Sequence, residues 1–148
     1  AIAGALKNVI AIAAGAAEGL GLGHNAVAAL ITRGLAEIAR LAAQMGAHAH
    51  TVMGLAGLGD LVLTATGKLS RNRRLGMLLA QGSGLAEAEA EVGLAEGVRT
   101  AIAARRLARS LKVEAPIIET VAEVVAGNLR VAEAVEKLLQ RPEKPEWA

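Results

Sequence analysis

Apolar positions along this chain recur every three to four residues, and no convincing run alternates with the period of two that marks a half-buried strand. Residues 9–17 are apolar on every side, as in a helix surrounded by other helices, and the spacing predicts a first helix over 6–20. A second helix, opened by Asn25 as its cap, carries Val27, Leu30, Ile31, Leu35, Ile38, Leu41 and Met45 on one stripe. Arg33 and Glu37, four residues apart, are expected to pair on its outer face. Residues 46–59 are glycine-rich and irregular, with a short helical turn near 51–55, and 60–66 read as helix or, by propensity alone, as strand.

A further pattern begins at Ser70, read as a capping hydroxyl, runs through Leu75, Met77, Leu78 and Leu79, and stops at Gly82. A short acidic segment (86–92) and a helix over 97–111 follow. The next helix is opened by Pro116 and closed by Gly127, and a last one covers 130–140 and ends before Pro142. With no internal repeat or long linker, the expectation is one all-α domain, a multi-helix bundle over residues 1–148.

Composition narrows how that bundle is built. The 148 residues contain no Phe, no Tyr and one Trp, so the core must be made of Ala, Leu, Ile and Val, an alphabet that favours closely approaching helices. A 53% hydrophobic, 20% charged chain is no disordered segment. The lack of Cys excludes disulfides and thiolate metal sites and fits a cytoplasmic location. No apolar stretch reaches the ~20 residues of a bilayer span, so a soluble protein is expected. A net charge of +2 demands no polyanionic partner. The chain opens on Ala1, and AIAGALKN reads as the middle of a longer protein.

The candidate chemistry starts with Arg71, Arg73 and Arg74. Placed in a first helical turn they meet the positive pole of the helix dipole, which is unfavourable unless an anion is expected there. Arg73 and Arg74 read individually as solvated surface charges. Ser70, the free backbone N–H groups and Arg71 together read as a phosphate cradle. Lys7, the only charge among the first 17 residues, stands beside Asn8 and is either a helix-end lysine snorkelling to water or a general acid. Asp60 and Thr64 share a face if their segment is helical, and Asp60 reads as a helix cap or as a partner that orients a lysine. The glycines of GLGLG (19–23) follow a helix rather than a strand, which excludes a dinucleotide loop there; they read as helix ends and close-packing turns. His24, His48 and His50 are too few and too scattered for a metal site. Arg105, Arg106, Arg109 and Lys112 form a basic face read as solvated, and with one Trp as the whole aromatic complement for stacking on bases no nucleic-acid partner is expected.

Five segments, GALKNVIAIAAGAAEGLGLG, AALITRGLAEIARL, MGLAGLGDLVLT, LSRNRR and EGVRTA, stand in the order found in bacterial NAD(P)-dependent glycerol-3-phosphate dehydrogenases. Over essentially its whole length the chain resembles the C-terminal, substrate-binding half of that family. The resemblance implies an all-α bundle like the C-terminal domain of 6-phosphogluconate dehydrogenase, with the family's N-terminal Rossmann domain absent from this chain. It implies Lys7 as catalytic acid/base with Asp60, substrate contacts from Lys7, Asn8, Asp60, Thr64, Ser70, Arg71 and Asn72, and cofactor contacts from Arg71, Leu94 and Glu96. The implied reaction is reversible reduction of dihydroxyacetone phosphate to glycerol 3-phosphate, feeding phospholipid synthesis. It uses NAD or NADP and no metal, involves no membrane, and leaves a homodimer open. Leu75 stands where Phe is common in the family. The isolated domain should be inactive, and the competing reading is a non-catalytic helical scaffold or dimerisation module.

Overall fold

The computed structural model describes residues 2–46 and 68–140, and every secondary-structure element within them is a helix. In chain order these are α1 (Ile2–Gly19), α2 (His24–Gln44), α3 (Lys68–Ala80), α4 (Leu85–Val92), α5 (Glu96–Ser110), α6 (Pro116–Val125) and α7 (Val131–Gln140). The short turn near 51–55, the ambiguous 60–66 segment, His48 and His50 lie outside the described residues.

The bundle is built around α1. Residues 9–17 are all buried, as their unbroken apolar character requires, and α1 touches α2, α3, α5, α6 and α7. Its most extensive contact is with α3, which runs alongside it in the same sense: Asn72 lies near Ile12, and Ala80 near Gly19. Glycine makes this contact backbone to backbone. A Cβ on Gly15 would stand 1.9 Å from the carbonyl oxygen of Arg73, and one on Gly76 would stand 2.1 Å from the carbonyl oxygen of Ile12. Neither distance is compatible with any side chain, so the aromatic-poor composition is matched by a helix pair packed closer than side chains allow. Leu75 is fully buried, so the apolar role survives the absence of Phe.

Helix starts differ from the spacing-based reading in an instructive way. α2 begins at His24, with Gly23 in extended conformation at the cap position, so Asn25 is not the cap. α3 already includes Lys68, which puts Ser70 inside the helix rather than at its cap. Arg73 and Arg74 then fall beyond the first turn, where the dipole effect has largely faded, and of the three arginines the repulsion argument applies to Arg71 alone.

Glu37 corrects a further expectation. It is 2% exposed and does not face solvent. α6 starts after Ala115, which has no side-chain acceptor, with Pro116 in its first turn. The Glu37 carboxylate reaches across from α2 and accepts hydrogen bonds from the N–H groups of Ile117 (2.6 Å) and Ile118 (3.0 Å). One buried carboxylate thus satisfies two orphan donors and meets the positive pole of α6. Arg33 donates instead to the carbonyl of Leu138, near the C-terminal end of α7.

Three substitutions test this packing by urea unfolding followed by circular dichroism. Gly15→Ala is expected to cost about 3 kcal/mol, the upper range for overpacking, because the obstacle is backbone. Gly4→Ala, with nothing near its added Cβ, should stabilise by about 0.5 kcal/mol through helix propensity alone. Glu37→Leu should destabilise by roughly 2–3 kcal/mol, since it leaves two buried N–H groups unpaired.

Candidate active site

Three elements meet where α1 is crossed by the first turn of α5. Asn8 (7% exposed) and Asn72 (1% exposed) are, with Glu37, the buried polar or charged side chains among the described residues. Ala95, at the cap position of α5, has no side chain to satisfy the free N–H groups that follow. Asn72 supplies the cap from α3: its Oδ1 accepts the Gly97 N–H at 2.9 Å. At the same point a Cβ on Gly97 would come within 2.8 Å of the Asn8 carbonyl oxygen and 2.7 Å of Ile12 Cδ1. The LKN, SRN and EGV segments, far apart in sequence, therefore converge around one glycine.

Arg71 binds the same region from outside. Its side chain lies along Gly93, and its Nη1 donates to the carbonyl of Leu94 at 3.3 Å. Gly93, which ends α4 with φ of 90°, turns the chain in a conformation other residues rarely adopt. The loop that follows presents Leu94, 55% exposed, and Glu96 is also exposed. Lys7 and Ser70 are half-buried on α1 and α3. Of the residues expected to act, the structure thus gathers Asn8, Asn72, Arg71, Leu94 and Glu96 around the start of α5, with Lys7 and Ser70 in the flanking turns. Asp60 and Thr64 lie outside the described residues.

Arg73 is not the solvated charge its sequence position suggested. Its guanidinium forms a two-point hydrogen-bonded pair with Glu18 of α1, Nε to Oε1 at 2.7 Å. The Glu18 hydrogen bonds raise its pKa above the ordinary arginine value, against the smaller opposing effect of burial. Its charged form is the protonated one, so the pair supports the fold throughout the working pH range. Arg105 and Arg109 of the basic face likewise pair with Glu123 and Glu119 on α6. His24 is exposed, and the described residues contain no group of three or more His, Cys, Asp or Glu able to hold a metal. No described helix is long and apolar enough to cross a membrane. A groove of about 640 Å³ opens where the end of α3 and the start of α4 face the α6–α7 turn, and it contains none of the expected site residues.

The family profile described as NAD-dependent glycerol-3-phosphate dehydrogenase C-terminus matches residues 1–136. The chain belongs to this family. It is 58% identical over 146 residues to the glycerol-3-phosphate dehydrogenase [NAD(P)+] of Delftia acidovorans, covering 98% of this chain and 44% of that protein. The enzyme of the same name from Dechloromonas aromatica is 57% identical over 148 residues, covering 99% and 45%. The chain thus spans a little under half the length of the curated relatives it matches. Among solved structures, the glycerol-3-phosphate dehydrogenase of Coxiella burnetii superposes with a TM-score of 0.85 at 45% identity, over 95% of this chain and 43% of that one. The all-helical bundle expected from the resemblance is therefore the fold of a glycerol-3-phosphate dehydrogenase C-terminal domain.

Two residues that matter to this domain's geometry escaped the sequence reading. Gly97 sits in the first turn of a helix, where glycine is a poor former, and that misfit was its signal. Glu37 lies seven residues after Leu30 and four before Leu41, on the apolar stripe rather than opposite it.

The Glu18–Arg73 pair, with side chains 22% and 28% exposed, should show a coupling of about 0.5–1 kcal/mol in a double-mutant cycle with Glu18→Gln and Arg73→Gln. The coupling should shrink when the cycle is repeated at about 1 M salt.

Proposed function

We propose that this chain is the substrate-binding domain of a glycerol-3-phosphate dehydrogenase, acting on dihydroxyacetone phosphate and glycerol 3-phosphate together with an N-terminal dinucleotide-binding domain. The observation that carries the reading is the convergence of Asn8, Asn72 and the Glu96–Gly97 turn at the start of α5, flanked by Arg71. The names of the relatives supply the reaction. In the proposed arrangement, Arg71, Ser70 and the early N–H groups of α3 hold the substrate's phosphate, which suits a dianion at the positive end of a helix. Lys7, half-buried on α1, stands with its ammonium at the carbonyl oxygen, stabilises the negative charge that develops there and then gives up a proton to it. Asn8 and Asn72 add polar contacts, and Asp60 and Thr64 complete the set on the strength of the resemblance.

The residues fit a dinucleotide edge. Leu94 is a large apolar side chain left exposed beside an arginine, and Glu96 stands exposed two residues on. Together with Arg71 they would hold the nicotinamide end of NAD(H) or NADP(H), which in its reduced form would supply the hydride for the carbonyl carbon and leave as the oxidised cofactor. Binding energy from the phosphate would align the carbonyl with Lys7. A role in phospholipid precursor supply, in the cytoplasm, follows from the same reading.

The test joins this chain to the remaining N-terminal part of the Delftia relative. The fusion is expected to oxidise NADH in the presence of dihydroxyacetone phosphate, while the chain alone gives no turnover; robust turnover by the chain alone would refute the division of labour. In the active fusion, Lys7→Met should lower kcat by about 10³-fold, the scale of general acid catalysis. Phosphate titrated into the labelled chain should shift amides around Ser70–Arg73. An inactive fusion without saturable phosphate binding would instead leave a helical scaffold.

A further inference from the structure

The first turn of α5 is held by more than its own sequence provides. Gly97 has Asn72 Oδ1, Ile12 Cδ1 and the Asn8 carbonyl all within 2.8 Å of where a Cβ would stand. Its N–H is buried and donates to Asn72. Three residues earlier, the Leu94 carbonyl is held by Arg71 from the same helix that carries Asn72. The stretch between Gly93 and Gly97 is therefore pinned to α3 at both ends, and the two side chains it exposes, Leu94 and Glu96, have their height above α1 set by how deeply Gly97 is seated.

We propose that Gly97 is a positioning residue for the dinucleotide side of the site, an inference that rests on the proposed function above. It touches neither ligand. It lets α5 approach α1 until Leu94 and Glu96 stand at the level of the Lys7–Asn8 turn, and the Asn72 amide locks it there. Any side chain at 97 must push the start of α5 outward. A displacement on the order of 1 Å at a ligand-aligning segment is enough to reduce turnover strongly. Asn72 then has two jobs: a polar group toward the substrate, and the acceptor that keeps the cofactor-facing turn in place.

Three variants of the fusion read this out through the NADH Kd, by fluorescence titration, alongside the KM for dihydroxyacetone phosphate. Gly97→Ala is expected to weaken NADH about fivefold, the size of one lost buried hydrogen bond, with a smaller change in the substrate KM. Asn72→Leu, which removes the acceptor at similar volume, should do the same to NADH. Asn72→Asp, which keeps an oxygen for the Gly97 N–H, should return the NADH Kd to within about twofold of the parent. An unchanged Kd in folded Gly97→Ala and Asn72→Leu would overturn the proposal, as would a loss in Asn72→Asp equal to that in Asn72→Leu. If Gly97→Ala does not fold, the Asn72 pair decides.

Amide hydrogen exchange on the chain itself tests the clamp without turnover. The Gly97 N–H should exchange slowly, faster in Asn72→Leu and not in Asn72→Asp. Exchange at the solvent rate in the parent would overturn the proposal even if the fusion is active. A fusion that binds NADH but does not turn over would count against the proposed substrate, leaving the Kd comparison intact.

Discussion

The contact on which the rest of the domain depends is the backbone-to-backbone packing of α1 against α3. Gly15, Gly19 and Gly76 remove the side chains that would hold these helices apart, and main-chain atoms of Arg73, Met77 and Ile12 fill the space. Gly15 and Gly76, inside their helices, cost conformational entropy, roughly 1 kcal/mol each relative to Ala. The compensation is dense van der Waals contact along the length of a buried helix pair. A chain without Phe or Tyr has few large side chains with which to fill gaps, so proximity takes over the part that bulk usually plays.

That packing also fixes the register of the proposed site residues. Arg73 rests its carbonyl on Gly15 and clamps Glu18 with its guanidinium, so α3 can neither slide nor rotate on α1 without losing both. With Arg73 set, Arg71 is directed to the Gly93–Leu94 turn and Asn72 into the buried junction with Asn8 and Gly97. Neighbouring arginines on one short segment thus make different contacts, Arg73 holding two helices in register and Arg71 reaching the Gly93–Leu94 turn beside the proposed site.

A second theme is capping from a distance. Both α5 and α6 begin after an alanine that cannot accept a hydrogen bond through its side chain, and in each case a buried polar side chain from another helix takes over, Asn72 for α5 and Glu37 for α6. A local cap stabilises its own helix wherever that helix goes, whereas a cap supplied in trans is satisfied only when two helices are correctly docked. The arrangement ties helix formation to tertiary packing, and at α5 it ties the proposed cofactor-facing turn to the proposed phosphate-holding helix.

The sequence by itself determined that the domain is helical, because a period of three to four in apolar positions has one regular solution, and it placed α2 and α5–α7 to within a few residues. Its five motif segments also determined the family, since their order and spacing survive without any coordinates. Only the tertiary structure decided what the polar residues inside those helices do. Glu37, read as half of a surface pair, is buried beneath α6; Ser70 is helical rather than a cap; and Arg73 is paired rather than solvated. Periodicity records which face of a helix is apolar, but a hydrogen bond depends on which other helix lies against that face, and partners 25, 55 and 80 residues apart leave no local trace in the chain.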